Sequence, residues 1–520
     1  MTSFDFVYHL ILRFRQHLKI MSLACKAVLL KRFEELIDAT LNGSPLQLEE
    51  LEKQIQVAQR ELNSLHNSDA SISTLPDEVL TMVFEEGMHL NGDSPCHFGS
   101  LASHVTHHWR SVALAAPRLW SKIRWREPCT EQEMERVSTF LSRSGTSPIE
   151  IRFRPYDTSC QAIPPEFVQL TRGHIRHCVH ISIWDIHPNY LTKVLEDIFC
   201  YPAPMLRSID LGLDEAYEPE PLLNTYLFPL GAPLLTIAHL SSIHVSDFVF
   251  CLPAFENITT LRLIDFCIND KEEKECASFR DTLMAMPALY YLDLRLDTTV
   301  ESFSLYEVFL HTVKFLCIQA VHQRALEDII NSIHAKSMTA LYLRRESFGQ
   351  TRLAGEENWA SHFPSLQHLI LAHSMRDLPN IGVIARRFPG VKRLTCHGIS
   401  WRSKTKHIGH VLDSIKWAAR HDGHGTDTSV SPSKQGRPAI LWPELDTIAM
   451  SALDETNINI AWHLYESIFK FHDAGYHIHK LKLPKTFFAR PNEGTERLKG
   501  IVDLEEYSLD WPTREYGRWS

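Results

Sequence analysis

Residues 286–296 read MPALYYLDLRL, and this stretch decides the fold. Its frame is Pro287-x-Leu289-x-x-Leu292-x-Leu294. Leu292 and Leu294 are two apart, so they share one face of a short strand. The proline stops whatever helix precedes it and leads into that strand. The frame recurs along the chain. Pro204 leads Leu206, Ile209 and Leu211, and Pro233 leads Leu235, Ala238 and Leu240. Pro364 leads Leu366, Leu369 and Leu371, and Pro389 leads Val391, Leu394 and Cys396. Pro443 leads Leu445, Ile448 and Met450. The same triplet stands without proline at Cys178-Ile181-Ile183, Ile258-Leu261-Leu263, Val313-Leu316-Ile318, Met338-Leu341-Leu343 and Ile478-Leu481-Leu483.

Most steps are short, from 23 residues (Leu235 to Ile258) to 31 (Ile258 to Leu289), close to the 20–29 of a leucine-rich repeat. The last, Leu445 to Ile478, is 33 residues. The exception is the 54 residues from Val391 to Leu445, which are close to two steps. They hold one helical pattern (Val411, Leu412, Ile415, Ala418, Ala419) and a Gly/Ser/Pro-rich loop from His421 to Pro438, which reads as a disordered insertion. Between strands the pattern is helical, as in Leu326, Ile329, Ile330, Ile333 and in Ala461, Leu464, Ile468, Phe471. One strand and one helix per step cannot close a core alone, but stacked steps can. The predicted fold class is therefore α/β. A leucine-rich-repeat-like solenoid with a curved parallel sheet is expected over 126–520, and helices are expected outside the sheet.

Three further zones precede it. Residues 1–45 form a basic amphipathic segment with no acidic residue between Phe6 and Phe33. It loosely resembles a mitochondrial presequence; an ordinary amphipathic helix, or a true start at Met21, are the other readings. Over 46–68, Leu48, Leu51, Ile55, Ala58, Leu62 and Leu65 alternate spacings of three and four, the pattern of a short coiled-coil helix. Over 73–125 a helical module is expected. Leu75-Pro76-Asp77-Glu78 reads as a helix start, with proline in the first turn and acids against the positive end of the helix dipole. Val79, Leu80, Val83, Phe84 and Met88 follow as an apolar stripe. A second helix is expected to carry Leu101, Val105, Trp109 and Val112 on one face, and Pro117 ends it before Leu119-Trp120.

Composition excludes several classes. A formal net charge of −10 is a poor match for non-specific nucleic-acid binding. No apolar run approaches the roughly 20 residues that span a bilayer. The 11 cysteines are scattered, odd in number and never in a C-x-x-C pair, which fits free thiols in a reducing cytoplasm or nucleus. His104, His107 and His108 lie close, as do His407 and His410, but no matching ligand pair follows, so neither metal nor cofactor is expected. No P-loop, G-x-G-x-x-G, H-E-x-x-H or G-x-S-x-G occurs, so no catalytic residue is assigned.

The module over 73–125 resembles an F-box. The matching residues are Leu75-Pro76-x-Glu78-Val79-Leu80-x-x-Val83-Phe84, then Val105-x-x-x-Trp109-Arg110, then Pro117-x-Leu119-Trp120. The full chain is similar to the mushroom-type fungal F-box proteins, which join a short heptad helix, such an F-box and irregular leucine-rich repeats. The resemblance implies a substrate-recognition subunit of a Skp–cullin–F-box ubiquitin ligase, non-catalytic itself. It implies that Leu75, Pro76, Glu78, Val79, Leu80, Val83 and Phe84 contact the Skp-type adaptor. Val105, Trp109 and Trp120 would complete the packing and part of that surface. The cullin would be reached through the adaptor, and an unknown protein substrate would lie on the repeats. The alternative is an adaptor-bound scaffold with no ubiquitin-ligase role. The chain departs from the pattern in two places. His89 to Gly99 is longer and more polar than the compact form, and the usual Asn or Cys after each strand is replaced near Asp214, Phe266, Asp297, Ser374 and Lys404. Solvent-facing charges near the strand ends, Asp210, Asp293, Arg295, Arg344, Arg345 and His373, are the candidate substrate contacts.

Overall fold

The computed structural model describes residues 71–90, 97–125, 130–154, 165–213, 226–266, 273–296, 307–320, 323–345, 359–373, 381–397, 442–453, 459–489, 491–509 and 511–512, with isolated positions 31, 53, 57, 60 and 412. The chain divides into two compact units, Met1–Ser121 with Phe140–Ser147, and Lys122–Thr139 with Pro148–Ser520. Most of the N-terminal basic segment and of the coiled-coil stretch lies outside the described residues. Lys53, Val57 and Arg60 are helical and exposed there. Among the described residues no helix is long and apolar enough to cross a membrane.

From residue 71 on, the described residues of the first unit form α1 (Asp77–Leu90), α2 (Phe98–Ser103) and α3 (His107–Ala115), followed by a 3-10 turn at Pro117–Trp120. Asp77 and Glu78 occupy the first turn of α1, and the Leu80 N–H closes it on the Pro76 carbonyl at 3.0 Å. The expected single helix over Leu101–Val112 is two helices. Thr106 is extended, and its hydroxyl accepts the Trp109 N–H at 3.0 Å, so it caps α3 and ends continuity with α2. The core holds Leu80, Phe84, Ala102, Val112, Leu119 and Trp120. The Trp120 indole donates to the Ala113 carbonyl at 2.8 Å and stacks on His97, while Phe140 packs at its side. Gly87 is required here: a Cβ would sit 2.3 Å from the Phe98 ring, which also meets Phe84 edge-on.

The second unit is built on one parallel sheet of 14 strands. In chain order the strands are β1 (Lys122–Trp125), β2 (Ile149–Phe153), β3 (Cys178–Ile186), β4 (Ser208–Leu213), β5 (Ile237–Ser241), β6 (Thr260–Phe266), β7 (Tyr291–Leu296) and β8 (Val308–Phe309). Then come β9 (Phe315–Gln319), β10 (Ile333–His334), β11 (Ala340–Arg345), β12 (His368–His373), β13 (Arg393–His397), β14 (Thr447–Met450), β15 (Lys480–Leu483) and β16 (Asp503–Glu506). Spatial order follows chain order, except that the short β8 and β10 pair with each other outside the large sheet. The chain is thus α/β with a sequential parallel sheet, an arrangement compatible with stacked repeats.

Every apolar triplet read from the sequence falls in one register. Ile181 pairs with Ile209, then Ala238, Leu261, Leu292, Leu316, Leu341, Leu369, Leu394, Ile448 and Leu481 stand in line. The sheet also extends past the sequence-derived array, with β1 and β2 before Cys178 and β16 after Leu483. In β2 the apolar spacing is Ile149-Ile151-Phe153, with a register shift at Ile149/Glu150, and in β16 the third position is Glu506. Neither matches the frame. The 54-residue step is a single step, because β13 pairs directly with β14. The loop at 421–438 lies outside the described residues.

The prolines do more than stop helices. In five steps the residue before proline accepts an N–H from the residue two after it, as in Ala203–Leu206, Ala232–Leu235, Met286–Leu289, Phe363–Leu366 and Trp442–Leu445. Proline is therefore the second residue of a tight turn, where its fixed φ is already correct. A backbone ladder just ahead of the strands then joins the steps: Thr236 N–H to Arg207, Thr259 to Thr236, Tyr290 to Thr259, and onward to Asp503 on His479. At three strand ends the turn is made by a left-handed residue, Asp185, Ser242 or Asp265. Short polar side chains tolerate that conformation. It turns Ile243 and Phe266 inward, where both are buried.

Helices cover the apolar face. Between α4 (Glu131–Ser144), α5 (Pro165–His174) and α6 (Pro188–Ile198) at one end and α7 (Glu273–Met284), α8 (Gln323–Ser332), α9 (Ile381–Arg387) and α10 (Ile460–Asp473) further on runs a ten-residue 3-10 helix, Val245–Ala254. Leu191 and Leu195 of α6 line a small cavity of about 10 Å³ with Leu211 of β4 and Leu240 of β5, which fixes the side on which that helix packs. Cys178 and Cys396 are buried in this layer, and burial pushes both thiols up to about 12.

Candidate functional site

Two surfaces emerge. The first is the outer face of α1. Leu80 and Phe84, one turn apart, point inward and are fully buried, and the Phe84 ring lies 4.9 Å from Trp109. Val79 (41 % exposed), Met82 (69 %) and Val83 (45 %) lie at i, i+3 and i+4 on the outer face. Pro76 and Glu78 are exposed at the helix start, Leu75 is half-buried, and Val105 is 53 % exposed after α2. Trp109 is half-buried and Trp120 is wholly interior.

The ten residues singled out from the sequence therefore divide. Leu80, Phe84 and Trp120 form the core of this unit, where they fold the surface but cannot touch a partner. Pro76, Glu78, Val79, Val83 and Val105 are available to one, and Leu75 and Trp109 are half-buried between the two groups. Met82 was not singled out; its position three residues after Val79 is the signal that places it. A helical unit this small has more apolar side chains than interior, so some remain outside. Covering a Val or Met side chain fully is worth about 1.5–3 kcal/mol, which gives this face its capacity for association.

The second surface is the sheet face opposite the helices. It carries the residues between the paired apolar positions. Ser182, Asp210, His239, Arg262, Asp293, Cys317 and Tyr342 stand in consecutive strands in register. Solvent-facing charges were expected here, and the structure corrects this for two of them: Asp210 is 2 % exposed and Asp293 is 1 %. The reason is the register itself, which brings complementary side chains alongside. The Asp293 carboxylate is held by Arg262 Nε at 2.9 Å and Arg295 Nη2 at 3.1 Å, from both neighbouring positions. Asp210 lies 3.0 Å from His239 Nδ1 and 3.6 Å from His180 Nε2. Burial opposes the Asp210 charge, but His239, with His180 and Arg152, outweighs it and holds the carboxyl below its usual range. Burial lowers His180, which is a neutral imidazole at pH 7. Arg344 is exposed, Arg295 is half-buried, and Arg345 and His373 close β11 and β12.

One grouping has the residue types of a hydrolase. His180 Nδ1 lies 2.6 Å from Ser208 Oγ, and its other nitrogen faces Asp210. All three side chains are buried. They line neither of the two hollows flanked by α6 and α7. Among the described residues no three His, Cys, Asp or Glu side chains are placed to hold a metal ion.

Further along, the same face turns aromatic and is covered by the chain's own C-terminal residues. Trp511 sits among Tyr291, Phe315 and Tyr342 of β7, β9 and β11, with ring centroids 5.7, 5.5 and 5.4 Å away. Its indole N–H donates to the Tyr291 hydroxyl at 3.2 Å. Leu509 packs against the same cluster, and the Tyr507 hydroxyl meets His397 Nδ1 at 2.9 Å. Sequence reading did not single out these residues, although three aromatic side chains at neighbouring strand positions on a supposedly polar face are a detectable signal. Compared with protein-family models, the chain matches none. Compared with curated proteins, it matches none significantly.

Proposed function

We propose that the chain is a substrate-recognition subunit of a Skp–cullin–F-box ubiquitin ligase, with 73–125 acting as the F-box and the sheet as a leucine-rich-repeat-like solenoid that holds a protein substrate. The observation that carries this reading is the division of α1. Leu80 and Phe84 build the unit, while Val79, Met82 and Val83 present an apolar stripe outward beside Pro76 and Glu78. An apolar helix face with polar residues at its rim is suited to helix-in-groove association. On this reading the chain is not itself an enzyme, needs no cofactor, and works where the adaptor and cullin are found, in cytoplasm or nucleus.

The test is co-purification of the full chain with a Skp-type adaptor. Val79→Glu with Val83→Glu places two charges on the exposed face without entering the core. Binding should fall at least 100-fold while the circular dichroism spectrum and unfolding midpoint stay unchanged. A folded wild-type chain that does not retain the adaptor overturns the proposal. The adaptor-bound scaffold remains the second reading. Reconstitution with cullin separates the two: ubiquitin transfer to a captured partner supports the receptor, and its absence from a competent complex supports the scaffold.

A further inference from the structure

The sheet face opposite the helices does not share its charge evenly. Over β6 to β13 it carries Arg262, Arg295, Arg344 and Arg393 against the carboxylate of Asp293. Over β15 and β16 the same face is matched: Lys480 lies 4.0 Å from Asp503, and Lys482 lies 3.3 Å from Glu505. The arginine-rich stretch belongs to a chain whose formal net charge is −10. Asp293 answers both Arg262, at 2.9 Å, and Arg295, at 3.1 Å, so one of those two positive charges stays uncompensated. Arg295 engages it through Nε and Nη2, which leaves Nη1 uncommitted. Two strands further on, Arg344 is exposed and pairs with no carboxylate among the described residues.

Register sets these groups in one row. Arg295 stands beside Gln319, and Gln319 beside Arg344, followed by Ala372 and His397. Adjacent strands are about 4.8 Å apart, so the two arginines start about 10 Å from each other. Gln319 between them is neutral and half-buried. At the far end His397 adds no charge at pH 7. Burial, with Arg344 beside it, keeps that imidazole below its ordinary range, and its Nδ1 meets the Tyr507 hydroxyl at 2.9 Å. The neighbours of Arg344 therefore add to its field or leave it alone, and none offsets it. The residue type matters as well. A guanidinium presents a planar fork that matches a carboxylate with two parallel hydrogen bonds. An extended segment sets alternate side chains about 7 Å apart and third neighbours about 10 Å apart. Two carboxylates at such a spacing reach Arg344 and the Nη1 of Arg295 together.

We propose that this row is the substrate contact of the sheet, and that it takes an acidic segment with Asp or Glu side chains two or three residues apart, anchored on Arg344. This deepens the receptor reading and rests on it only for the partner's role as a substrate. The isolated full chain, without adaptor, is used in the test, so the two fail separately. A capped peptide, Gly-Ser-Asp-Glu-Asp-Glu-Ser-Gly, carrying a neutral fluorophore is titrated with the full chain at pH 7.5. Its counterpart with Asn and Gln in place of the acids should bind at least about tenfold more weakly, and raising salt from about 50 to about 300 mM should weaken the acidic peptide about tenfold. Arg344→Gln should cost at least about tenfold in binding and leave the unfolding midpoint unchanged, because the side chain it removes is exposed and unpaired. Arg344→Lys keeps the charge without the fork and should cost about threefold. Absence of binding to the folded wild type overturns the proposal, as does equal binding of the two peptides or an Arg344→Gln chain that binds as the wild type does. Loss of the fold in both Arg344→Gln and Arg344→Lys also overturns it, because the side chain is then structural. A phosphoserine version of the peptide that binds where the Asp/Glu version does not would assign the row to phosphate, which equally overturns it.

Discussion

The helical unit and the parallel sheet handle their misfits in opposite ways. The helical unit leaves apolar side chains outside: Val79, Met82 and Val83 face solvent although Leu80 and Phe84 beside them are buried. The sheet takes charge inside: Asp210, Asp293 and Arg262 are buried on the face where polar residues would ordinarily meet water. The difference follows from geometry. A short helical unit has too little interior for its stripe. A long in-register sheet sets complementary side chains about 5 Å apart, close enough to neutralise and cover one another. An exposed apolar surface keeps a capacity for association, whereas a covered charge is a structural commitment.

That contrast can be broken most severely at Asp293. Asp293→Ala leaves Arg262 and Arg295 facing each other with no counter-charge, and the cost should be about 3–5 kcal/mol, read from urea unfolding of the full chain. Asp293→Asn should lose less, since it keeps the acceptor. In the helical unit the corresponding break is Gly87→Ala. The added methyl must push the Phe98 ring, costing about 1–3 kcal/mol, and the helix propensity gain of about 1 kcal/mol offsets part of this. Hydrogen exchange over α1 and α2 should rise while the sheet stays protected.

Acid separates the two units further. His180 has a folded pKa below its unfolded value, so the unfolded chain takes up that proton first. Its contribution is fully present above about pH 6.5 and is lost as pH falls below it. Asp210 also has a lowered folded value, and its contribution is lost further down, as pH falls through the carboxylate range below about 4. Sheet stability should therefore fall from pH 7.5 to 5.5, and His180→Gln should flatten that part of the profile, while the drop below pH 4 shrinks but persists because His239 still holds Asp210. The smallest effect belongs to the exposed stripe. Val79→Ser with Val83→Ser should change stability by less than about 0.5 kcal/mol per site, since neither side chain is buried. A larger loss would mean that the stripe is already covered within the chain.

Much of the sheet was legible because its signal is local and repeated. Each strand carries apolar residues two apart, a leading apolar residue three before them, and often a proline that opens a tight turn. Those features set register wherever they occur, from Cys178 to Leu483. They failed at β2, where the spacing shifts by one residue, and at β16, where Glu506 takes the third place. They also left the 54-residue step open, since only strand pairing tells an insertion from an extra step. In the helical unit the apolar stripe was readable, but its two sides were not. The stripe gives periodicity, and which edge faces inward depends on where Phe98, Trp109 and Trp120 pack.

The sequence by itself determined the α/β class, the parallel array of steps and the helix start at Pro76-Asp77-Glu78, because each rests on residues within a few positions of one another. Only the tertiary structure decided that Asp210 and Asp293 are buried, that Leu80 and Phe84 face the core, and that Trp511 closes over Tyr291, 220 residues away in the chain. Such contacts are set by which strands stand side by side, and no local pattern encodes that.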